Sequence, residues 1–283
     1  VPLRVGIVGS GIMAGGIAEV VAHAGHDVVL RSRTRDGATT TRDGVASATA
    51  RRVAKGSLAE ADREALLGRI RPTDRLEDLA ACDVIIESIV EDAAAKRAIL
   101  AEVGRVAAPG ALLATNTSTL PVEDLAAASG RAGEFCGIHF FNPATALPLV
   151  EVVRPASATP ATVARAIEFV RGLGKEPIEV ADRAGFVVNA LLFPYLNAAV
   201  AMHEAGVASI ADIDAAMRGG AAHPMGPFAL LDLVGIDTAV AILDTLHARL
   251  GDPACEPRPT LRAMVREGRL GRKTGRGFHD YRT

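Results

Sequence analysis

The amino-acid sequence predicts a mixed α/β domain built on a parallel sheet, followed by an all-α domain. Two observations carry that prediction. Through roughly the first 180 residues, short β-rich runs alternate with helical stretches, the pattern of strands joined by crossover helices. From Gly185 onward the strand signal stops, and apolar-periodic segments are separated only by Gly/Pro-bearing turns.

Taken in order, Leu3–Val8 is an apolar run that reads as a strand, and residues 12–24 read as a helix. Asp27–Arg31 is the second strand. Residues 44–55 and 58–68, each polar on one face, read as a helical pair inserted after it. Asp83–Glu87, Ala111–Thr115, Phe135–Phe140, Val150–Arg154 and Pro177–Val180 complete the strands, with helices over 92–106 and 160–173. The domain boundary falls near Ala184–Gly185, giving domains of 1–184 and 185–283. The second reads as helices at 186–204, 209–218, 227–249 and 259–267, and its tail from Gly271 to Thr283 as irregular.

Composition narrows the possible functions. With a formal net charge of −2, nothing in the overall balance implies nucleic acid as a partner. Residues 185–202 are apolar, but Asn189, Pro194 and Asn197 interrupt them, so a buried helix is expected and no membrane span. Val1 to Val8 is too short an apolar stretch for a secretory signal. The three scattered cysteines suggest neither a disulfide framework nor a metal site and fit a reducing cytoplasm. Locally, residues 31–55 carry Arg31, Arg33, Arg35, Arg42, Arg51, Arg52 and Lys55 against Asp36 and Asp43. That is either a solvated helix face or a site for phosphate-rich ligands.

The first strand runs into Gly9-Ser-Gly11-Ile12-Met13-Ala14 and then a helix, the context a dinucleotide-binding loop requires. Gly9 permits the tight turn, Gly11 lets a pyrophosphate approach the backbone, and a small residue at 14 lets helix and strand pack closely. The helix N-terminus supplies N–H groups to the anion. Residues 1–184 are therefore expected to form a Rossmann-type NAD(P)-binding domain with an inserted helical pair. The end of the second strand bears on which dinucleotide binds. An NAD site places Asp or Glu there to accept from the adenosine ribose, whereas this chain reads Arg31-Ser32-Arg33-Thr34. Ser32 and Arg33 can donate to a 2′-phosphate, which points to NADP. The alternative is an altered NAD site whose arginines flank the adenine.

His139 and Glu151 are the candidate acid/base pair. Histidine titrates near neutrality and can take an alcohol proton, and a carboxylate on its other ring nitrogen would fix the tautomer. His139 ends one predicted strand and Glu151 lies in the next, so pairing of the two strands would join them. His23 and His26, near the end of the first helix, are expected at the surface with no metal role.

Six segments, in order, resemble the 3-hydroxyacyl-CoA dehydrogenases, and most closely their compact bacterial 3-hydroxybutyryl-CoA type. They are Gly9–Ala18, Thr115-Asn-Thr-Ser118, Gly137-Ile-His-Phe-Phe-Asn-Pro143, Leu149-Val-Glu-Val152, Ala184-Gly-Phe-Val-Val-Asn189 and His223-Pro-Met-Gly-Pro227. The resemblance implies reversible oxidation of an (S)-3-hydroxyacyl thioester, with the active site in a cleft before a helical domain that binds substrate and dimerises. It implies His139 as general base, Glu151 as its orienting partner, Ser118 on the substrate oxygen near the nicotinamide, and Asn189 holding the substrate. It further implies cofactor contacts from Asn142, Glu91, Lys96 and Lys273, and a grip on the coenzyme A phosphates from Lys55.

Four positions depart from the family pattern. Ala14 replaces the third glycine, Thr119 a serine, and Ser32 the acid, while Ala48 lacks a side chain for a contact some members make with CoA. An acyl-carrier-protein thioester would suit the same chemistry, and a free hydroxy acid or sugar acid is a further alternative, although Lys55 and its arginine neighbours favour a phosphate-bearing substrate. A silent nucleotide-binding protein is the rival outside enzymes, and the intact set of Ser118, His139, Glu151 and Asn189 argues against it.

Overall fold

Central strands of a parallel sheet are covered on both faces and so read as continuous apolar runs. Here they are β1 (Arg4–Val8), β2 (Asp27–Arg31), β4 (Val84–Glu87) and β5 (Leu112–Thr115), with Val5, Ile7, Leu30, Ile86 and Leu113 all buried. With β3 (Ile70–Thr73), β6 (Phe135–Phe140), β7 (Leu149–Arg154) and β8 (Glu176–Ala181) they make one sheet in the order 3-2-1-4-5-6-7-8. All pairings are parallel except β6 with β7. The computed structural model describes residues 1–282, and the chain divides into two compact units, Val1–Asp182 and the residues from Arg183 on.

In the first unit, α1 (Ile12–His23), α2 (Arg35–Ala54), α3 (Glu60–Arg69), α4 (Ala93–Val106), α5 (Val122–Ala128) and α6 (Pro160–Gly172) accompany the sheet. The chain winds outward from β1 through β2 to β3, then returns to lay β4 on the other side of β1. Loops leaving the C-terminal ends of β1 and β4 part at this reversal, where open α/β sheets bind ligands.

Several elements differ from the sequence reading, each for a physical reason. Strand β3 contains Pro72, a breaker inside a sheet, but β3 is the edge strand and a missing donor is tolerated there. Helix α2 begins at Arg35, well before residue 44: Gly37, Gly44 and three threonines hide it from propensity, yet the Thr34 hydroxyl caps it by accepting from Gly37 N–H at 3.1 Å. Helix α5 is a short turn of structure behind Pro121 that leaves little periodicity to read. His26 is half-buried, its Nδ1 accepting from Leu3 N–H at 3.1 Å, and burial holds its pKa below the ordinary value.

The second unit contains α7 (Val188–Glu204), α8 (Ile210–Gly220), α9 (Pro227–Val234), α10 (Ile236–Leu250) and α11 (Pro259–Arg266) around Phe193, Leu196, Phe228, Leu243, Leu246 and Met264. The single helix expected over 227–249 breaks at Gly235, whose φ of +102° lies outside the helical region. The tail expected to be irregular is tied down by buried Asp232, which accepts from Phe278 N–H at 2.8 Å, His279 N–H at 2.9 Å and Tyr281 Oη–H at 3.1 Å. Asp214 similarly serves the start of α9, accepting from Phe228 N–H at 2.8 Å. Among the described residues, no helix is long and apolar enough to cross a membrane.

Candidate active site

The glycine loop sits at the reversal of the sheet, between β1 and the first turn of α1. Gly9 has φ +151°, and a Cβ there would lie 2.2 Å from the Ser88 carbonyl oxygen, so the fold itself demands glycine. Gly11 is different: a Cβ would meet nothing within 4 Å. The protein does not need that space, and it lies directly over the α1 N-terminus, which no side chain caps. Such a turn offers uncapped N–H groups to an anion, which is the fit a dinucleotide pyrophosphate requires. Ile12 is exposed, Met13 is half-buried and Ala14 is fully buried against the turn.

At the end of β2 the buried Ser32 packs against the first turn of α2, its Oγ 2.7 Å from where a Gly37 Cβ would stand. Ser32 N–H donates to Thr73 O, while Arg33 is exposed beside it and the half-buried Arg31 leaves its Nε without a partner. The residues that close this strand, Arg31 to Thr34, include no carboxylate.

The antiparallel register of β6 and β7 sets His139 directly opposite Glu151. Directly opposed residues point to the same face of a sheet, and His139 Nδ1 lies 2.7 Å from Glu151 Oε2. Glu151 is completely buried and His139 nearly so. A carboxylate only accepts, so the proton of this bond sits on Nδ1 and the neutral ring carries its lone pair on Nε2. The Phe141 ring packs on the imidazole at a centroid distance of 4.5 Å.

A second carboxylate organises the neighbouring turn. Glu91 Oε1 accepts from the Thr117 hydroxyl at 2.6 Å, Ser118 N–H at 2.8 Å, Thr119 N–H at 3.2 Å and the Ser118 hydroxyl at 3.2 Å. Burial alone would raise the Glu91 pKa, but the Lys96 ammonium and the hydrogen bonds from Thr117 and Ser118 outweigh it and hold the carboxyl below its ordinary range. Lys96 is itself buried, bonded to Glu87 at 2.7 Å and 3.4 Å from Glu91 Oε2. Asn116 Oδ1 accepts from Phe140 N–H at 2.8 Å and ties this turn to the strand of His139.

Sequence reasoning assigned no role to Glu87 or Asn116. For Glu87 a signal existed: an acid closing the apolar run Val84-Ile-Ile-Glu87 has no polar alternation to place it in solvent. Ser118, His139, Glu151, Glu91 and the glycine loop all stand in the first unit. Asn142 and Lys55 are exposed there, Lys55 at the C-terminal end of α2. In the second unit Asn189 is buried in the first turn of α7, after Gly185 at φ +74°, where a side chain would strike Leu246. Lys273 is exposed and bonded to Asp237 at 2.7 Å. Among the described residues no three His, Cys, Asp or Glu side chains converge on a metal position.

Known proteins share this architecture. The family profile described as 3-hydroxyacyl-CoA dehydrogenase, NAD binding domain, matches residues 4–183, and the C-terminal domain of the same family matches residues 185–281. The chain is 45% identical over 280 residues to the 3-hydroxybutyryl-CoA dehydrogenase of Mycobacterium tuberculosis, covering 98% of each. The crystal structure of M. tuberculosis FadB2 is similar with a TM-score of 0.96 at 44% identity, over 99% of this chain and 100% of that one. The (S)-3-hydroxybutyryl-CoA dehydrogenase PaaH1 of Ralstonia eutropha gives a TM-score of 0.95 at 38% identity over the whole of both chains.

Proposed function

The chain belongs to the 3-hydroxyacyl-CoA dehydrogenase family, and from that premise we propose that it interconverts short (S)-3-hydroxyacyl-CoA esters, 3-hydroxybutyryl-CoA first among them, with their 3-oxo forms. The observation that carries this reading is the His139–Glu151 pair at 2.7 Å, held by strand register. Bound at the glycine loop, a nicotinamide dinucleotide supplies the hydride chemistry. The protein's own part is the proton. His139 Nε2 takes it from the substrate hydroxyl during oxidation and returns it during reduction, while Glu151 stabilises the imidazolium that forms. Ser118 and Asn189 orient the reacting oxygen, which removes part of the entropic barrier. Asn142 contacts the nicotinamide end of the dinucleotide, Glu91 with Lys96 behind it holds the ribose side, Lys273 makes a further cofactor contact, and Lys55 meets the CoA phosphates.

The dinucleotide is NADP(H) in this reading. Ser32 replaces the acid that would repel a 2′-phosphate, and the exposed Arg33 follows it in the chain. We place the enzyme in the cytoplasm, because its three cysteines are buried with no disulfide among them, as a reducing compartment keeps them.

Steady-state turnover of acetoacetyl-CoA, followed with NADPH and NADH in parallel, tests both parts. Turnover is expected with a kcat/KM at least about tenfold higher for NADPH, a difference that needs only about 1.4 kcal/mol. No turnover with either cofactor would end the functional reading; equal turnover would end only the cofactor preference.

A further inference from the structure

Beneath the turn that bears Ser118 lies a chain of alternating charge whose innermost member, Glu87, has no task in the proposed reaction. Glu87, the last residue of β4, is fully buried. Its Oε1 accepts from Lys96 Nζ at 2.7 Å and from Ile89 N–H at 2.7 Å, and its Oε2 accepts from the Thr115 hydroxyl at 2.7 Å. Lys96, 1% exposed, reaches on to Glu91 Oε2 at 3.4 Å. The other oxygen of Glu91 gathers the donors of Thr117, Ser118 and Thr119. Thr115 completes the array, its hydroxyl oxygen accepting from Thr117 N–H at 3.3 Å.

Stability alone is a weak reason for this arrangement, since a buried ion pair can often be replaced by apolar groups of the same shape without loss. What the charges add is direction. Glu91 is on a rotatable side chain, and an ammonium fixed at Oε2 leaves Oε1 one orientation, toward the turn. The ammonium is fixed in its turn because Glu87, anchored by a backbone N–H and a threonine hydroxyl, cannot move. We propose that Glu87 is a positioning residue, which holds Lys96 as an immobile cation and through it sets Glu91 and the Ser118 hydroxyl. This rests on the reading of Ser118 as a ligand-binding side chain.

The test is a double-mutant cycle between the buried pair and Ser118. Glu87→Gln with Lys96→Met keeps the shape, leaves an amide oxygen for Ile89 N–H with the amide NH₂ turned to the Thr115 hydroxyl oxygen, and removes both charges of the pair together. In the parent background kcat is expected to fall about tenfold, near the low end of what a hydrogen bond to a charged group contributes, while the thermal midpoint stays close to the parent value. In a Ser118→Ala background the same pair of substitutions is expected to cost little more, because groups that act through one another are not additive. Thr115→Val, nearly isosteric, provides an independent arm with a smaller loss and the same dependence on Ser118. Parental kcat in Ser118→Ala would overturn the reading of Ser118. A depressed Ser118→Ala enzyme, combined with either unchanged kcat in the buried-pair variant or full additivity in both arms, would overturn the positioning role alone.

Discussion

His139 has its task defined by the nitrogen that Glu151 engages. With Nδ1–H donated to a fully buried carboxylate, the basic nitrogen is Nε2, and in the proposed reaction the imidazolium would form beside that carboxylate. His139→Ala is expected to lower kcat by roughly 10²–10⁴-fold, the usual contribution of a general acid–base group, with cofactor affinity nearly unchanged. Glu151→Gln should do comparable damage, because an amide can present its NH₂ to Nδ1 and select the wrong tautomer. Steady-state kinetics with direct cofactor titration separates the two effects; near-parental kcat in His139→Ala would remove this residue from the mechanism. Ser32 and Arg33 make the second residue-scale prediction. Ser32→Asp with Arg33→Ile restores a ribose acceptor and deletes a phosphate partner, so the order of kcat/KM for NADPH and NADH should reverse. An unchanged order would mean that these side chains face away from the adenosine.

At the scale of the element, the glycine loop separates what the fold needs from what a ligand needs. Gly9→Ala forces a Cβ onto the Ser88 carbonyl and demands a strained φ, so it should destabilise the protein by at least about 1–3 kcal/mol, the typical cost of overpacking. Gly11→Ala touches no protein atom, so its unfolding free energy should stay within about 0.5 kcal/mol of the parent, while cofactor affinity falls. Urea unfolding and fluorescence titration of the two variants check the contrast; a Gly11→Ala protein that binds the dinucleotide normally would displace the pyrophosphate from this loop. The same elements show why some of the structure was legible. β1, β4 and β5 announce themselves because both faces are buried and their runs are mainly apolar. The opposition of His139 and Glu151 was legible too, since each lay in a recognisable strand of an adjacent pair. β3 was hidden by Pro72 and the first turns of α2 by Gly37, because local propensity cannot know that an edge strand or a capped turn forgives them. The contacts of Asn116 with Phe140 and of Glu87 with Thr115 were hidden for a different reason: these partners are distant in sequence, and only the order of the strands brings them together.

For the whole molecule, the helical unit leaves apolar surface uncovered. Leu191 and Met202 lie on one face of α7 at helical spacing and are exposed, as are Val207 and Leu233. We expect a second copy of the chain to cover such surface in a symmetric homodimer. Light scattering at micromolar concentration would contradict this by returning a stable monomer mass. The first unit has a property of its own. Its His139–Glu151 pair stands in a paired ladder inside an eight-stranded sheet, each residue within a strand and neither on the 141–148 connection. Fluctuations that open loops leave such a pair intact, and amide hydrogens in core strands exchange only when the cooperative unit around them opens. Proton-transfer geometry here is therefore inherited from the sheet: on heating it should persist until β6 and β7 part, and the loss of activity and the deuteration of those two strands should then follow one clock.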